Sequence, residues 1–170
     1  MLSVNDKAPE FVLEGYIKDE IKTFKLNNYK NKWVILFFYP LDFTFVCPTE
    51  VKALSAKYED FRNLGAEVFG VSVDSVHSHK SWSKEMGELN FPLLSDFHKR
   101  ISHQFGVLDE EAGHSMRATF IIDPEGNIRW LNVSSDDVGR NVDELLRSVA
   151  ALQTGKLCPA EWTPGGKTLN

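Results

Sequence analysis

Trp33-Val34-Ile35-Leu36-Phe37-Phe38 is an unbroken apolar run, and the fold is read outward from it. Six consecutive apolar residues suit a strand buried on both faces. Downstream, Val51, Leu54, Tyr58, Phe61 and Leu64 recur at spacings of three and four, so one amphipathic helix is expected there, with Gly65 as its stop. Val68-Phe69-Gly70-Val71-Ser72-Val73 reads as the next buried strand. Strand, helix, strand in that order is a βαβ unit with parallel strands.

The second half changes pattern. Residues 97 to 105 read as a short helix closed by Gly106. Ala118-Thr119-Phe120-Ile121-Ile122-Asp123 and Ile128-Arg129-Trp130-Leu131-Asn132-Val133 flank Pro124-Glu125-Gly126-Asn127, the arrangement of an antiparallel hairpin. Asn141 followed by Glu144 resembles a capping box, and Val142, Leu145, Leu146, Val149 and Leu152 give the apolar face of a last helix. A βαβ unit followed by a ββα unit is the thioredoxin-like order: an α/β fold with a central mixed β-sheet flanked by helices. The segment before Trp33 is then an N-terminal extension and 153–170 a C-terminal tail, both part of a single domain spanning 1–170.

Composition suits that reading, since 42% hydrophobic and 25% charged residues in a chain of 170 argue against disorder, collagen or coiled coil. Acidic residues outnumber basic ones, 24 to 19, and the net charge of −5 argues against nucleic acid as a partner. The run from Trp33 is far too short to span a bilayer, and Met1-Leu2-Ser3-Val4-Asn5-Asp6 lacks the build of a secretory signal. No membrane partner and a cytoplasmic setting are expected. The two cysteines, Cys47 and Cys158, are too few for a disulfide scaffold or, by themselves, a structural zinc site. They are either inert thiols or catalytic ones.

Context favours chemistry at Cys47. It follows the apolar strand in Tyr39-Pro40-Leu41-Asp42-Phe43-Thr44-Phe45-Val46-Cys47-Pro48-Thr49-Glu50. Proline is tolerated in a first helical turn, so Pro48 places Cys47 at or near a helix start, where unpaired N–H groups and the positive end of the dipole favour a thiolate. If the first turn begins near Thr44, its hydroxyl shares a side with the sulfur; the alternative is that Thr44 only caps the helix. Pro40 has no N–H to compete for the thiolate, or simply ends the strand. The absence of a Cys-x-x-Cys pair excludes a neighbouring resolving thiol. Cys158 lies past the last expected helix, in a tail that can reach across a subunit boundary, although spacing alone cannot establish a bridge.

Together these residues resemble the typical two-cysteine peroxiredoxins, specifically the group of the alkyl hydroperoxide reductase peroxidase subunit. The likeness runs from Asp6-Lys7-Ala8-Pro9 to Cys158-Pro159-Ala160-Glu161-Trp162, and its most specific part is Pro-x-x-x-Thr-x-x-Cys at Pro40, Thr44 and Cys47. Arg117-Ala118-Thr119-Phe120, Val138-Gly139-Arg140 and Trp82 also fall where that family has them. The resemblance implies a thiol peroxidase acting on hydrogen peroxide and organic hydroperoxides. Cys47 would be peroxidatic and Cys158 resolving, with Pro40, Thr44 and Arg117 completing the active site. Glu50 and Arg140 would be supporting charges that hold Arg117. It further implies an antiparallel homodimer bridged between Cys47 and the partner's resolving cysteine, commonly five dimers in a ring. The electron donor would be thioredoxin or a dedicated disulfide-reducing flavoprotein, and no metal or organic cofactor is required. Asn31 stands where the family often has glycine. Glu85-Met86-Gly87-Glu88-Leu89 replaces the Gly-Gly-Leu-Gly segment of overoxidation-sensitive members, so fast resolution is expected.

Two other readings compete. A cysteine hydrolase would need a histidine base, and His77-Ser78-His79 offers two, although such a pair reads first as solvated surface. A redox relay or chaperone would use the same thiol without peroxidase turnover.

Overall fold

The computed structural model describes residues 2–170. Strands β1 (Val12–Ile17) and β2 (Glu20–Lys25) precede β3 (Trp33–Phe38), the apolar run. Helices α1 (Cys47–Ala56) and α2 (Tyr58–Asn63) lead to β4 (Ala66–Ser72), and α3 (Val76–Met86) leads to β5 (Leu93–Ser95). After α4 (Arg100–Gln104) and the short pair β6 (Leu108–Asp109) and β7 (His114–Ser115) come β8 (Arg117–Ile122), β9 (Ile128–Ser134) and α5 (Val142–Gln153). The main sheet has the order β2-β1-β5-β4-β3-β8-β9. Pairs β3–β4 and β4–β5 are parallel, whereas β3–β8, β8–β9, β1–β2 and β1–β5 are antiparallel.

The run in β3 is apolar throughout because both of its faces are covered. Ile35 and Phe37 point into a core with Val51 and Leu54 of α1, Phe61 of α2, Trp82 of α3 and Val149 of α5. Val34, Leu36 and Phe38 point into a second core with Phe105, Phe120 and the N-terminal Phe11 and Leu26. Burying each large apolar side chain contributes about 1.5–3 kcal/mol. Leu54 and Phe61, both fully buried, therefore anchor the α1–α2 region to the sheet and hold the helix start in front of it.

Several expectations need correction. The single helix read through Val51 to Leu64 is two, broken at Lys57 (φ −105°, ψ 12°). The Ser55 carbonyl accepts from Asn90 Nδ2 at 3.1 Å, and Ser55 Oγ accepts from the Asn90 N–H at 2.9 Å, so this turn is drawn toward the loop after α3. The helix read from residue 97 begins only at Arg100: the Asp96 carboxylate accepts from the Ile101 and Ser102 N–H groups, and Lys99 is left-handed at φ 60°. The N-terminal extension is a hairpin that widens the sheet through β1–β5. Asn141 does cap α5, accepting from the Glu144 N–H at 3.0 Å, but the Glu144 carboxylate binds Arg147 instead of returning to the cap. Asn31 has φ 69°, a conformation glycine takes freely and asparagine tolerates, which accounts for that exchange. Among the described residues no helix is long and apolar enough to cross a membrane.

Candidate active site

The irregular segment from residue 39 to 46 crosses from the end of β3 to the start of α1, and Cys47 is the first helical residue, followed by Pro48. First-turn N–H groups have no intrahelical partners, and the Val46 carbonyl closes the turn by accepting from the Thr49 N–H at 3.0 Å. Cys47 is 1% exposed. Among the described residues the one side chain that hydrogen-bonds its sulfur is Arg117, whose Nη1 stands 3.5 Å from Sγ. Arg117 arrives from β8, the antiparallel neighbour of β3, which is how a residue distant in sequence reaches the helix start.

Arg117 is held on two further sides. Its Nη1 donates to Glu50 Oε2 at 2.6 Å and its Nη2 donates to the Asp136 carbonyl at 2.8 Å, while Nε is buried with no partner among the described residues. Glu50 lies one helical turn beyond Cys47 and also receives Arg140: Nε and the backbone N–H at 2.8 Å to Oε1, and Nη2 at 3.0 Å to Oε2. Arg140 Nη1 in turn donates to the Ala118 carbonyl and to Thr119 Oγ1, both at 2.9 Å, and its guanidinium stacks 3.3 Å above the Phe37 ring centroid. Burial works to raise the Glu50 pKa, but the hydrogen bonds and charge of Arg140 hold it below the usual carboxylate value. Burial also opposes the charge on Arg117, yet the Cys47 sulfur and Glu50 keep its pKa above the ordinary arginine value. For Arg140, burial prevails and the pKa is lowered. Two guanidiniums against one carboxylate leave an excess positive charge, which favours an anion beside them. A sulfur facing a fixed guanidinium can attack an electrophilic oxygen while a donor waits for the charge that develops.

The other sequence-marked residues sit as follows. Pro40 is buried and directly follows Tyr39, whose N–H donates to the Val71 carbonyl. Thr44 is outside the first turn, contrary to both readings offered for it: the N-cap is Val46, with no side-chain cap. Thr44 Oγ1 donates to the Leu41 carbonyl at 2.9 Å, which leaves its oxygen as an acceptor. Cys158 is half-buried in the tail, with Sγ 3.4 Å from Thr154 Oγ1 and 3.8 Å from the Ala151 carbonyl, and both thiols are free.

One surface expectation is wrong. His79 is fully buried, with Nδ1 2.8 Å from Asp42 Oδ2 and Nε2 3.0 Å from the Leu94 carbonyl. It is committed there and serves no thiol, which removes the base a cysteine hydrolase would need from this histidine. The sequence reading missed Asp42, Tyr39 and Ser78 around it. A signal existed in the helical spacing of Val76, His79 and Trp82, all buried on one face of α3.

Residues 4–131 match the model of the AhpC/TSA family. Thioredoxin peroxidase of Fasciola hepatica is 47% identical over 179 residues, covering 99% of this chain and 92% of that one. Peroxiredoxin-2 of Mus musculus is 48% identical, over 98% of this chain and 89% of its own. Among solved structures, the reduced 2-Cys peroxiredoxin of Plasmodium vivax superposes with a TM-score of 0.94 at 38% identity, over 97% of this chain and 91% of that one. AhpC of Enterococcus faecalis superposes with a TM-score of 0.88 at 37% identity, over 94% and 100% of the two chains.

Proposed function

Because the chain belongs to the AhpC/TSA family and is a peroxiredoxin that reduces peroxides through a thiol, we propose a division of labour among its residues. Cys47 is the peroxidatic cysteine. Its thiolate attacks the distal oxygen of a hydroperoxide: an S–O bond forms, the O–O bond breaks, and the leaving hydroxide or alkoxide takes a proton to become water or an alcohol. Arg117 stabilises the charge growing on the departing oxygen, because its guanidinium stands beside the sulfur and is fixed there before reaction. Glu50 and Arg140 hold Arg117 in that position. Pro40 shields the sulfur, and the Thr44 oxygen accepts from the peroxide O–H. The single observation that carries this assignment is the 3.5 Å approach of Arg117 Nη1 to the buried Cys47 Sγ at the first residue of α1.

Cys158 of a partner chain is the resolving cysteine. Its thiol displaces hydroxide from the Cys47 sulfenic acid, giving a disulfide and water, and an external dithiol then returns two electrons. Since Cys47 is almost fully buried, the first turn of α1 unwinds for the two sulfurs to meet. Thioredoxin is the donor favoured by the name of the Fasciola relative, with a dedicated disulfide-reducing flavoprotein as the other candidate. The working unit is one domain over 1–170 with 153–170 as the resolving tail. It acts in the cytoplasm as a homodimer and, in the larger assembly, as a ring of five dimers.

The test is single-turnover reaction with hydrogen peroxide. Cys47→Ser should show no reaction. Cys158→Ser should consume one peroxide per chain and then stop, with no disulfide-linked dimer on a non-reducing gel. Continued turnover of Cys47→Ser, or a normal disulfide in Cys158→Ser, would overturn the assignment.

A further inference from the structure

Residues 39–46 have no regular secondary structure, yet they set where the Cys47 helix begins. Asp42 is the buried charge of this segment. Its carboxylate receives the Tyr39 hydroxyl at 2.8 Å on Oδ1 and the Ser78 hydroxyl at 2.8 Å on Oδ2, with His79 Nδ1 also 2.8 Å from Oδ2. Its backbone N–H donates to Asp74 Oδ2 at 2.9 Å, an oxygen that also accepts from Ser72 Oγ. The next residue, Phe43, has φ 58°, a left-handed conformation that a residue with a Cβ keeps only when its surroundings impose it. Those surroundings come from α3, which supplies Ser78 and His79 to Asp42 and packs Trp82 5.5 Å from the Tyr39 ring and 6.3 Å from the Phe43 ring.

One hydrogen on His79 can be assigned from its partners. The Leu94 carbonyl only accepts, so Nε2 carries a hydrogen, which leaves Nδ1 to face Asp42 Oδ2 at 2.8 Å. Both side chains are fully buried. His79 therefore ties the segment before Cys47 to the middle of β5, and neither end of that tie is exposed to competing water.

We infer that His79 is a positioning residue for the peroxide reaction: through Asp42 it holds residues 39–46 in the shape that keeps Cys47 folded against Arg117. This rests on the assignment of Cys47 as the reacting thiol. It makes α3, which contributes nothing to the Glu50–Arg117–Arg140 cluster, the brace of the reactive helix start. Loosening the brace should slow attack on peroxide, which needs the folded arrangement, and speed disulfide formation, which needs the unwound one.

Two variants separate this role from ordinary core packing. His79→Asn keeps a side-chain donor near the position of Nδ1, facing Asp42, whereas His79→Gln keeps one near Nε2, facing Leu94. Stopped-flow tryptophan fluorescence of the full-length protein with hydrogen peroxide resolves the attack and disulfide phases. The attack phase of His79→Gln should slow by about tenfold to a hundredfold, the range expected when a reacting group is displaced by around an ångström. That of His79→Asn should stay within about threefold of the parent. Equal losses in both variants, or losses that only track their melting temperatures, would overturn the inference, as would wild-type rates in both. Should either variant fail to fold, Ser78→Ala removes a different donor from the same carboxylate: a slower attack phase and faster disulfide phase support the brace, and unchanged phases refute it. A wrong assignment of Cys47 would show separately, as peroxide reaction surviving in Cys47→Ser.

Discussion

Replacing Glu50 with glutamine tests the electrostatic design of the site most directly. The carboxylate is buried and accepts four hydrogen bonds, two on each oxygen, from Arg117 and Arg140. In Glu50→Gln the amide oxygen can keep the two Arg140 contacts now on Oε1. The amide nitrogen then faces Arg117 Nη1 and Arg140 Nη2 as donor against donor. Two charge-assisted bonds are lost, each contributing about 1.5–3 kcal/mol, and two buried guanidiniums lose the carboxylate they share. The expected loss is therefore about 3–5 kcal/mol, the range for breaking a buried ion pair from one side. Urea unfolding of the reduced protein, at one fixed concentration so that self-association does not shift the midpoint, measures it. Acid supplies an internal check. The folded-state pKa of Glu50 lies below its ordinary value of 4.5, so its contribution is complete above that pH and is lost as pH falls through the lower folded value. The gap between parent and Glu50→Gln should accordingly be widest near neutrality and close in acid. A loss under about 1 kcal/mol at pH 7, or a gap that stays constant below pH 4.5, would refute the reasoning.

Two further outcomes follow from the same geometry. Arg117→Lys replaces a planar fork that reaches Cys47, Glu50 and the Asp136 carbonyl with a single ammonium, so the peroxide attack phase should slow by about a hundredfold to a thousandfold. A rate within threefold of the parent would remove Arg117 from the chemistry. Tyr39 has its pKa raised well above 10.0, first by burial and then by Asp42, so its contribution to stability is complete below pH 10.0 and fades as pH rises through the folded value. Thermal melts between pH 8 and 11 should show a steeper alkaline loss in the parent than in Tyr39→Phe, and parallel curves would contradict it.

Much of the reactive element was legible because its cause is local. Pro48 marks a first turn from within the same four residues as Cys47, and the helix does begin at Cys47. The thioredoxin-like order was legible for a similar reason: a strand buried on both faces must be apolar at every position, and β3 is. Thr44 was harder. Its hydroxyl turns back to the Leu41 carbonyl because the intervening chain is a tight irregular loop, a geometry that residue spacing does not encode. The break at Lys57 was hidden because Val51, Leu54, Phe61 and Leu64 keep one face across it, while its cause, Asn90, lies in a different loop.

Taken alone, the sequence determined the alternation of buried strands and amphipathic helices, the place of a thiol at a helix start, and the set of side chains available for chemistry. All of these follow from interactions between residues a few positions apart. No local pattern said which polar groups meet: the family resemblance implied Arg117, Glu50 and Arg140 beside Cys47, the His79–Asp42 contact was not implied at all, and the tertiary structure is what makes each contact. Arg117 reaches Cys47 across 70 positions, Arg140 reaches Glu50 across 90, and His79 reaches Asp42 across 37. A hydrogen bond between distant segments imposes no period on the chain, so a buried histidine and a solvated one look alike until the sheet brings their partners together.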